Sequence, residues 1–420
     1  MMFYAAMCER RGRSPSGGRA VDHERTGVEL QVWLFGDFGY DALIEEYQEA
    51  NPDVTVVTKT YDADAQSYRA YHEALGAAVV GDSSPDVVAI DVGYIAAFKA
   101  RRNSFHDLLE LGARELEGDY LAWKWRQGLI SDGSALIGLS TDIGPMTVCY
   151  RRDLLGVAEL ASDRDELAEL WDSWEAFISF GQRYTAATGK AFLNAGAVIF
   201  ETVVNQSLKR YYDVDGRLIY DSNPRVKHAW DLAAAAIGSG ITAGVPHLGS
   251  AWSTALSRGD FAAVPCPAWM RPFVEHGAPD TAGDWDMTLM PKRGGNWGGS
   301  FLALPAGSDK PEEAFKLMSW LLAPAQQLKV FQTNGNFPST PALYDSPEIQ
   351  GFSSAFFNDA PIGQLYAASA LANIEPFDGP ADGLITAGFI DALGRVEAGA
   401  ETPDQAWDSA LAGIRARLRR

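Results

Sequence analysis

Cysteine and histidine are scarce in this chain of 420 residues. Cys8, Cys149 and Cys266 are the only cysteines, too few for a disulfide framework and too far apart for a closely spaced zinc site. The 6 histidines include no His-x3-His pair, so the spacing of a transition-metal site is missing. Basic charge is short too: 35 Lys and Arg against 55 Asp and Glu give a formal net charge of -20. Nucleic acid and anionic membranes need basic patches, so this balance argues against both as partners. The longest uncharged run, Leu232 to Ser257, is interrupted by Gly, Ser, Pro and His, which argues against a membrane span. Catalytic signatures are missing as well. Thr188-Gly189-Lys190 lacks the upstream glycine of a phosphate loop, and neither G-x-S-x-G nor H-E-x-x-H occurs. No internal repeat is found. Acidic residues are plentiful, so counting alone does not exclude a glycosidase-like carboxylate pair.

What remains is a globular composition, 47% hydrophobic and 21% charged, in a chain too long for one ordinary core. Residues 1–27 are polar and rich in Arg, Gly and Ser, and read as disordered. After them strand and helix periods alternate. "VELQVWLF" and "VTVVTKTY" read as strands around an amphipathic helix in which Leu43, Ile44 and Tyr47 share a face. "SYRAYHEALGAAVV" reads as a helix and "SPDVVAIDVG" as a buried strand. This order predicts an α/β protein with a parallel sheet covered on both faces, whose ligands sit beyond the carboxyl ends of the strands. Further helices are expected over "LWDSWEAFISFGQRY", "VIFETVVNQSLKRYYD", "RVKHAWDLAAAAIGSG", "PEEAFKLMSWLLAPAQQLKVF" and "TPDQAWDSALAGIRARL". "FAAVPCPAWM", "WDMTLMPK" and the end of "RGGNWGGSFLALPAG" are expected to be strands.

The aromatic residues carry the functional signal. Twelve Trp and an aromatic content of 11% are high, and several rings fall in Gly/Pro-rich loops rather than in periodic segments. Phe38 and Tyr40 follow Gly36 and Asp37 in a turn at a strand end, Tyr94 follows Asp91 at another, and Trp269 and Trp297 sit in "CPAWM" and "GGNWGGS". A single Trp in such a loop is as often a plug against its own core as a platform. The set of them fits stacking on the apolar C–H faces of sugar rings, with Asp37, Asp91, Asp142 and Asn194 available for hydroxyls. Asp37 alone is equally readable as a helix cap. Cys149 and Cys266 are either buried thiols or, in an oxidising compartment, a disulfide.

Taken in order, "VWLFGDFGYDALIEEYQEANPDV", "SPDVVAIDVGYIAAF", "GLSTDIGPMTVCYRRDLL", "RGDFAAVPCPAWM", "NWGGSFLALPAGSDKPEEAFKLMSWLLAP" and "AGAETPDQAWDSAL" resemble the extracellular sugar-binding proteins of ABC importers, the family 1 solute-binding proteins. The similarity spans residues 28 to 418, and "WKWRQGLISDG", "CYRRDLL" and "CPAWM" are most similar to cellobiose- and cello-oligosaccharide-binding lipoproteins. The resemblance implies a periplasmic-binding-protein-like fold of type II: two α/β lobes joined by hinge segments, with a ligand cleft between them. It places lobe one at 28–143 plus 292–337 and lobe two at 144–291 plus 338–420. Its contact loops fall on Gly36, Asp37, Phe38, Asp91, Tyr94, Asp142, Asn194, Trp269, Trp297 and Gly298, and on Phe377, with Tyr40 in the same opening turn. The implied protein is a monomeric receptor and no enzyme. It has no metal or other cofactor, takes an oligosaccharide as ligand and works with the permease subunits of an ABC importer. An extracellular location follows, with lipid anchoring in many relatives. Their anchored Cys follows small residues, whereas Cys8 follows Met7. Another small solute, such as a polyamine or metal chelate, and a sugar-active enzyme on a similar scaffold are the competing readings.

Overall fold

The computed structural model describes residues 27–62, 65–79, 81, 84–373 and 377–419. Residues 1–26, to which most of the expected disordered segment belongs, lie outside them. Among the described residues the nine strands are β1 (Val28–Phe35), β2 (Val54–Tyr61), β3 (Val87–Asp91), β4 (Leu139–Ser140), β5 (Met146–Arg151), β6 (Ala191–Leu193), β7 (Phe261–Pro267), β8 (Trp285–Leu289) and β9 (Ser300–Ala303). They form two sheets, in the orders β2-β1-β3-β9-β4 and β6-β7-β5-β8. The sequence predicted a parallel sheet. β1, β2 and β3 are parallel, but β9 runs antiparallel between β3 and β4, with Asp91 opposite Ser300. Both sheets are therefore mixed. The second pairs β5 antiparallel with β7 and β8, and β6 parallel with β7.

Each sheet carries its own core. In lobe one Leu30, Val32 and Leu34 project from one face of β1 onto Leu43, Ile44 and Tyr47 of the helix Asp41–Ala50, with the helix Pro311–Leu321 closing the layer. Lobe two is built around β5, all six residues of which are buried. Helix Trp174–Thr188, helix Ala197–Asn205 and the late helices Asp382–Glu397 and Pro403–Leu418 cover one side.

Three expected helices break where local chemistry interrupts the ladder. Ser173 caps the backbone N–H of Ala176 and starts a new helix after Trp171. Pro324 opens a second helix, Pro324–Asn334, because it cannot supply the N–H that continuation needs. The third stops at Asn205. Beyond it Asn223 holds the carbonyls of Lys209 and Arg210, and Lys209 bridges to Phe377.

Three chain passages connect the lobes and lie side by side. One runs from β4 to β5 through Gly144-Pro145, a second from β8 to β9, and the third follows helix Pro324–Asn334. Ile143 donates its N–H to the Phe337 carbonyl at 2.9 Å, and Trp297 donates to the Gly144 carbonyl at 2.8 Å. A narrow, hydrogen-bonded waist of this kind is the geometry of a hinge.

Candidate functional site

The carboxyl ends of β3 and β4 meet the β8–β9 passage at the waist. Asp91 ends β3, and its side chain caps the helix Val92–Lys99 by accepting from Gly93 N–H at 2.7 Å. Tyr94, one turn on, stacks on His72 with centroids 3.8 Å apart and planes 10° apart. His72 Nε2 accepts from the Asp91 N–H, so Nδ1 carries the proton and donates to the Tyr68 carbonyl. Burial lowers the His72 pKa to about 4, which keeps the ring neutral. Tyr68 hydrogen-bonds the Asp91 carboxylate.

Asp142 faces this group from the hinge. It is buried and accepts from Thr141 Oγ1 at 2.5 Å, Ser300 N–H at 3.1 Å and Asn336 Nδ2 at 3.3 Å. Burial raises the pKa of both Asp91 and Asp142; their hydrogen bonds and the nearby Lys124 ammonium oppose the shift. Lys124 was missed in the sequence. It is wholly buried, its Nζ has no hydrogen-bond partner, and it lies 4.2 Å from the centre of the Phe301 ring. Burial lowers its pKa to about 8 against the pull of the two carboxylates. Gly299, at φ +88°, passes directly over it: a Cβ there would stand 2.7 Å from the Asp142 carbonyl and 3.0 Å from the Lys124 ammonium. Nothing in "LAWKWRQGL" marks Lys124, because Trp123, Lys124, Trp125, Gln127 and Gly128 are all buried and only Ala122 and Arg126 of this short helix are exposed.

The two loop tryptophans come together. Trp269 donates its indole N–H to the Trp297 carbonyl at 2.7 Å, and the rings meet edge to face, 6.0 Å apart at 85°. Gly298, at φ +103°, leaves the space that Trp269 fills. Both rings are half-buried. His247 stands edge-on to Trp297 at 5.5 Å, and burial lowers its pKa to about 4. Asn194 is buried and brackets Val245, with Nδ2 on the Val245 carbonyl at 2.9 Å and its own carbonyl accepting from Val245 N–H at 2.8 Å. It therefore positions the His247 segment.

The opening turn is arranged differently. Phe38 and Tyr40 fold back into the core of lobe one, Phe38 edge-on to Phe35 at 5.3 Å. Burial raises the Tyr40 pKa, with the Asp142 charge adding to it. Asp37 is exposed. It accepts from Gly39 N–H at 2.7 Å, closing its own turn, while Tyr40 occupies the helix cap position. Gly36 donates to the Tyr61 carbonyl at 2.7 Å. Asn334 ties this turn to the centre, holding the Asp37 carbonyl and the Asn336 side chain. Phe377 lies on the rim of lobe two, 37% exposed, and pairs with Leu208 through its backbone N–H.

The structure thus brings Asp91 and Asp142 to Lys124, with Tyr94 one turn from Asp91, and pairs Trp269 with Trp297 at Gly298 on the passage that crosses Lys124. It leaves Phe38, Tyr40 and Asn194 behind that surface and Asp37 and Phe377 at its edges. Cys149 and Cys266, left open in the sequence, form a disulfide between β5 and β7. No group of metal-ligating side chains occurs among the described residues, and none of their helices is long and apolar enough to cross a membrane.

Comparison with known proteins agrees with this architecture. A family model described as bacterial extracellular solute-binding protein matches residues 42–384. A crystal structure described as an extracellular solute-binding protein of family 1 is 36% identical, with a TM-score of 0.84, covering 93% of this chain and 99% of that one. A binding protein of an ABC transporter from B. animalis subsp. lactis Bl-04, in complex with β-1,6-galactobiose, is 17% identical with a TM-score of 0.77, covering 92% and 97% of the two chains. The galacto-N-biose/lacto-N-biose I-binding protein from Bifidobacterium longum is 15% identical with a TM-score of 0.75, covering 91% and 95%. No curated protein matches.

Proposed function

Because the chain belongs to the bacterial extracellular solute-binding protein family, we propose that it captures an oligosaccharide between its lobes and delivers it to an ABC permease. The lobes of this reading are 28–143 with 292–337 and 144–291 with 338–420. The observation that carries it is the perpendicular pair Trp269 and Trp297, held by the same β8–β9 passage whose Gly299 crosses Asp142 and Lys124. A sugar ring presents apolar faces to indoles and a rim of hydroxyls to charged partners, and hydrogen bonds to charged groups are the stronger kind. Two rings at right angles offer a face and an edge, which suits a ligand of two or more sugar units. Proteins of the same fold bound to β-1,6-galactobiose and lacto-N-biose support the class. Within it, the segments around Trp125 and Trp269 favour a cello-oligosaccharide, whose equatorial hydroxyls leave both ring faces free to stack.

A thermal-shift panel of cellobiose, cellotriose, maltose, β-1,6-galactobiose and glucose tests this. A true ligand at one hundred times its Kd stabilises the protein by about 2.7 kcal/mol. Cellobiose or cellotriose is expected to give the largest shift. A shift with maltose alone would move the assignment to another sugar, and no shift with any saccharide would overturn the receptor reading.

A further inference from the structure

The seam between the lobes beside Phe377 holds buried polar atoms that no protein group satisfies. From lobe one, Gln127 donates its amide to the Asp378 carboxylate at 2.5 Å, which leaves its carbonyl oxygen Oε1 buried and unpartnered. Its helix is fixed in place by Lys99, whose ammonium donates to the Gln127 backbone carbonyl at 3.1 Å. From lobe two, Arg210 pairs with Asp378, lies 3.4 Å from Asp382 and gives one N–H to Asn205 Oδ1 at 2.9 Å. Arg210 Nε has no hydrogen-bond partner. Asp382 is only 5% exposed, and the Arg210 ion pair aside neither of its oxygens is matched by a well-formed hydrogen bond. Leaving such groups unmet is costly in a folded interior, so their concentration at one seam marks a place made for something else.

The chemistry of that occupant follows from the inventory. Four acceptors there lack a hydrogen bond, Gln127 Oε1, Asp378 Oδ1 and the two Asp382 oxygens, of which Asp378 Oδ1 and Asp382 Oδ2 face the Arg210 guanidinium, and one donor does, Arg210 Nε. Hydroxyls can serve both kinds, whereas a carboxylate or phosphate brings only further acceptors. Charge points the same way. Arg210 stands against Asp378 and Asp382, and across the cleft Lys124 stands against Asp91 and Asp142, so each cluster carries one more carboxylate than cation. Burial raises the Asp382 pKa, and the Arg210 guanidinium opposes the shift. The geometry points to an acceptor-rich subsite, formed by Gln127, Arg210 and Asp382, that takes the hydroxyl rim of an uncharged sugar ring and rejects acidic saccharides. This rests on the oligosaccharide-receptor reading and adds the charge class of the ligand.

The test is titration calorimetry at pH 7.5 with cellobiose, maltose and β-1,6-galactobiose, each beside its counterpart oxidised to the uronic acid at C6 of the non-reducing ring. The neutral member that binds is expected to do so ~100-fold more tightly than its acid, the scale of a like-charge contact. Asp382→Asn should weaken neutral binding ~10-fold and shrink the discrimination against the acid, because it removes the repelling charge. Gln127→Met, which keeps the side-chain length and leaves Arg210 with its carboxylates, should weaken neutral binding and keep the discrimination. Thermal melts confirm that both variants fold. An acid that binds wild-type protein as tightly as its neutral partner, or two folded variants that bind like wild type, would overturn the subsite and leave the receptor reading standing. Silence toward every saccharide would bring down the receptor reading, and the subsite with it.

Discussion

Glu201 offers a test of the energetics that needs no ligand. It lies in the helix Ala197–Asn205 among Val198, Ile199, Phe200, Val203 and Val204, and its Oε2 is buried without a partner. Burial alone raises its pKa from 4.5 to about 8. The folded state therefore binds more protons than the unfolded state between those values, so stability falls as pH rises across that window. At about 1.4 kcal/mol per pH unit, the loss relative to pH 4.5 is about 3 kcal/mol at pH 7 and about 5 kcal/mol above pH 8. Glu201→Gln removes the titration and keeps the shape. Thermal or urea unfolding of both proteins at pH 4.5, 7 and 9 should show nearly equal stability at pH 4.5. The variant should gain about 3 kcal/mol at pH 7 and more at pH 9, where a unit of this size gains roughly 2–4 °C per kcal/mol. A difference between the two proteins that does not change with pH, or a variant less stable than wild type at pH 7, would refute the reasoning.

Two further predictions concern the rings and the disulfide. Trp297→Ala should weaken oligosaccharide binding by roughly 2–4 kcal/mol, and Trp269→Phe, which keeps a smaller aromatic ring but loses the N–H donated to the Trp297 carbonyl, by at least about 1 kcal/mol; calorimetry on folded variants checks both, and a large fall in Tm with normal binding would make the rings core plugs. Replacing Cys149 and Cys266 by Ala releases a sequence separation of 117 residues, for which loop-closure entropy sets a loss of about 5 kcal/mol. Chemical unfolding measures it, and a loss below about 1 kcal/mol would contradict that estimate.

The parts of the fold legible in the sequence are those with a local cause. β1, the helix after it and β2 follow from side-chain periodicity, and Leu43, Ile44 and Tyr47 point inward as that period requires. The direction of β9 was not legible, because strand polarity beside β3 is decided by a partner far away in the chain. The site divides in the same way. Aromatic rings in Gly-rich loops drew attention to Trp269 and Trp297, which do meet. Lys124, Arg210 and Asp382 gave no signal, since a charged residue in sequence looks solvent-exposed and only packing reveals that Lys124 and Asp382 are buried and Arg210 half-buried. The packing of the opening turn was not legible either: Phe38 and Tyr40 sit in a loop yet complete the lobe-one core, and Asp37 accepts from Gly39 N–H.

The position of β9 has a consequence for how the chain is made. Val87–Ile90 of β3 is buried throughout, and its outer edge is covered only when Ser300–Ala303 arrives from beyond the whole of the second sheet. During synthesis the lobe that starts first therefore cannot finish first. β5, β6, β7 and β8 are all present before β9 exists, while β3 waits as an apolar strand with an open edge, the kind that pairs with the wrong neighbour. A nascent chain ending short of Ser300 should accordingly be sticky and rely on a holding chaperone, and the step that ends this exposure is the passage of four residues, Ser-Phe-Leu-Ala, into the gap between β3 and β4.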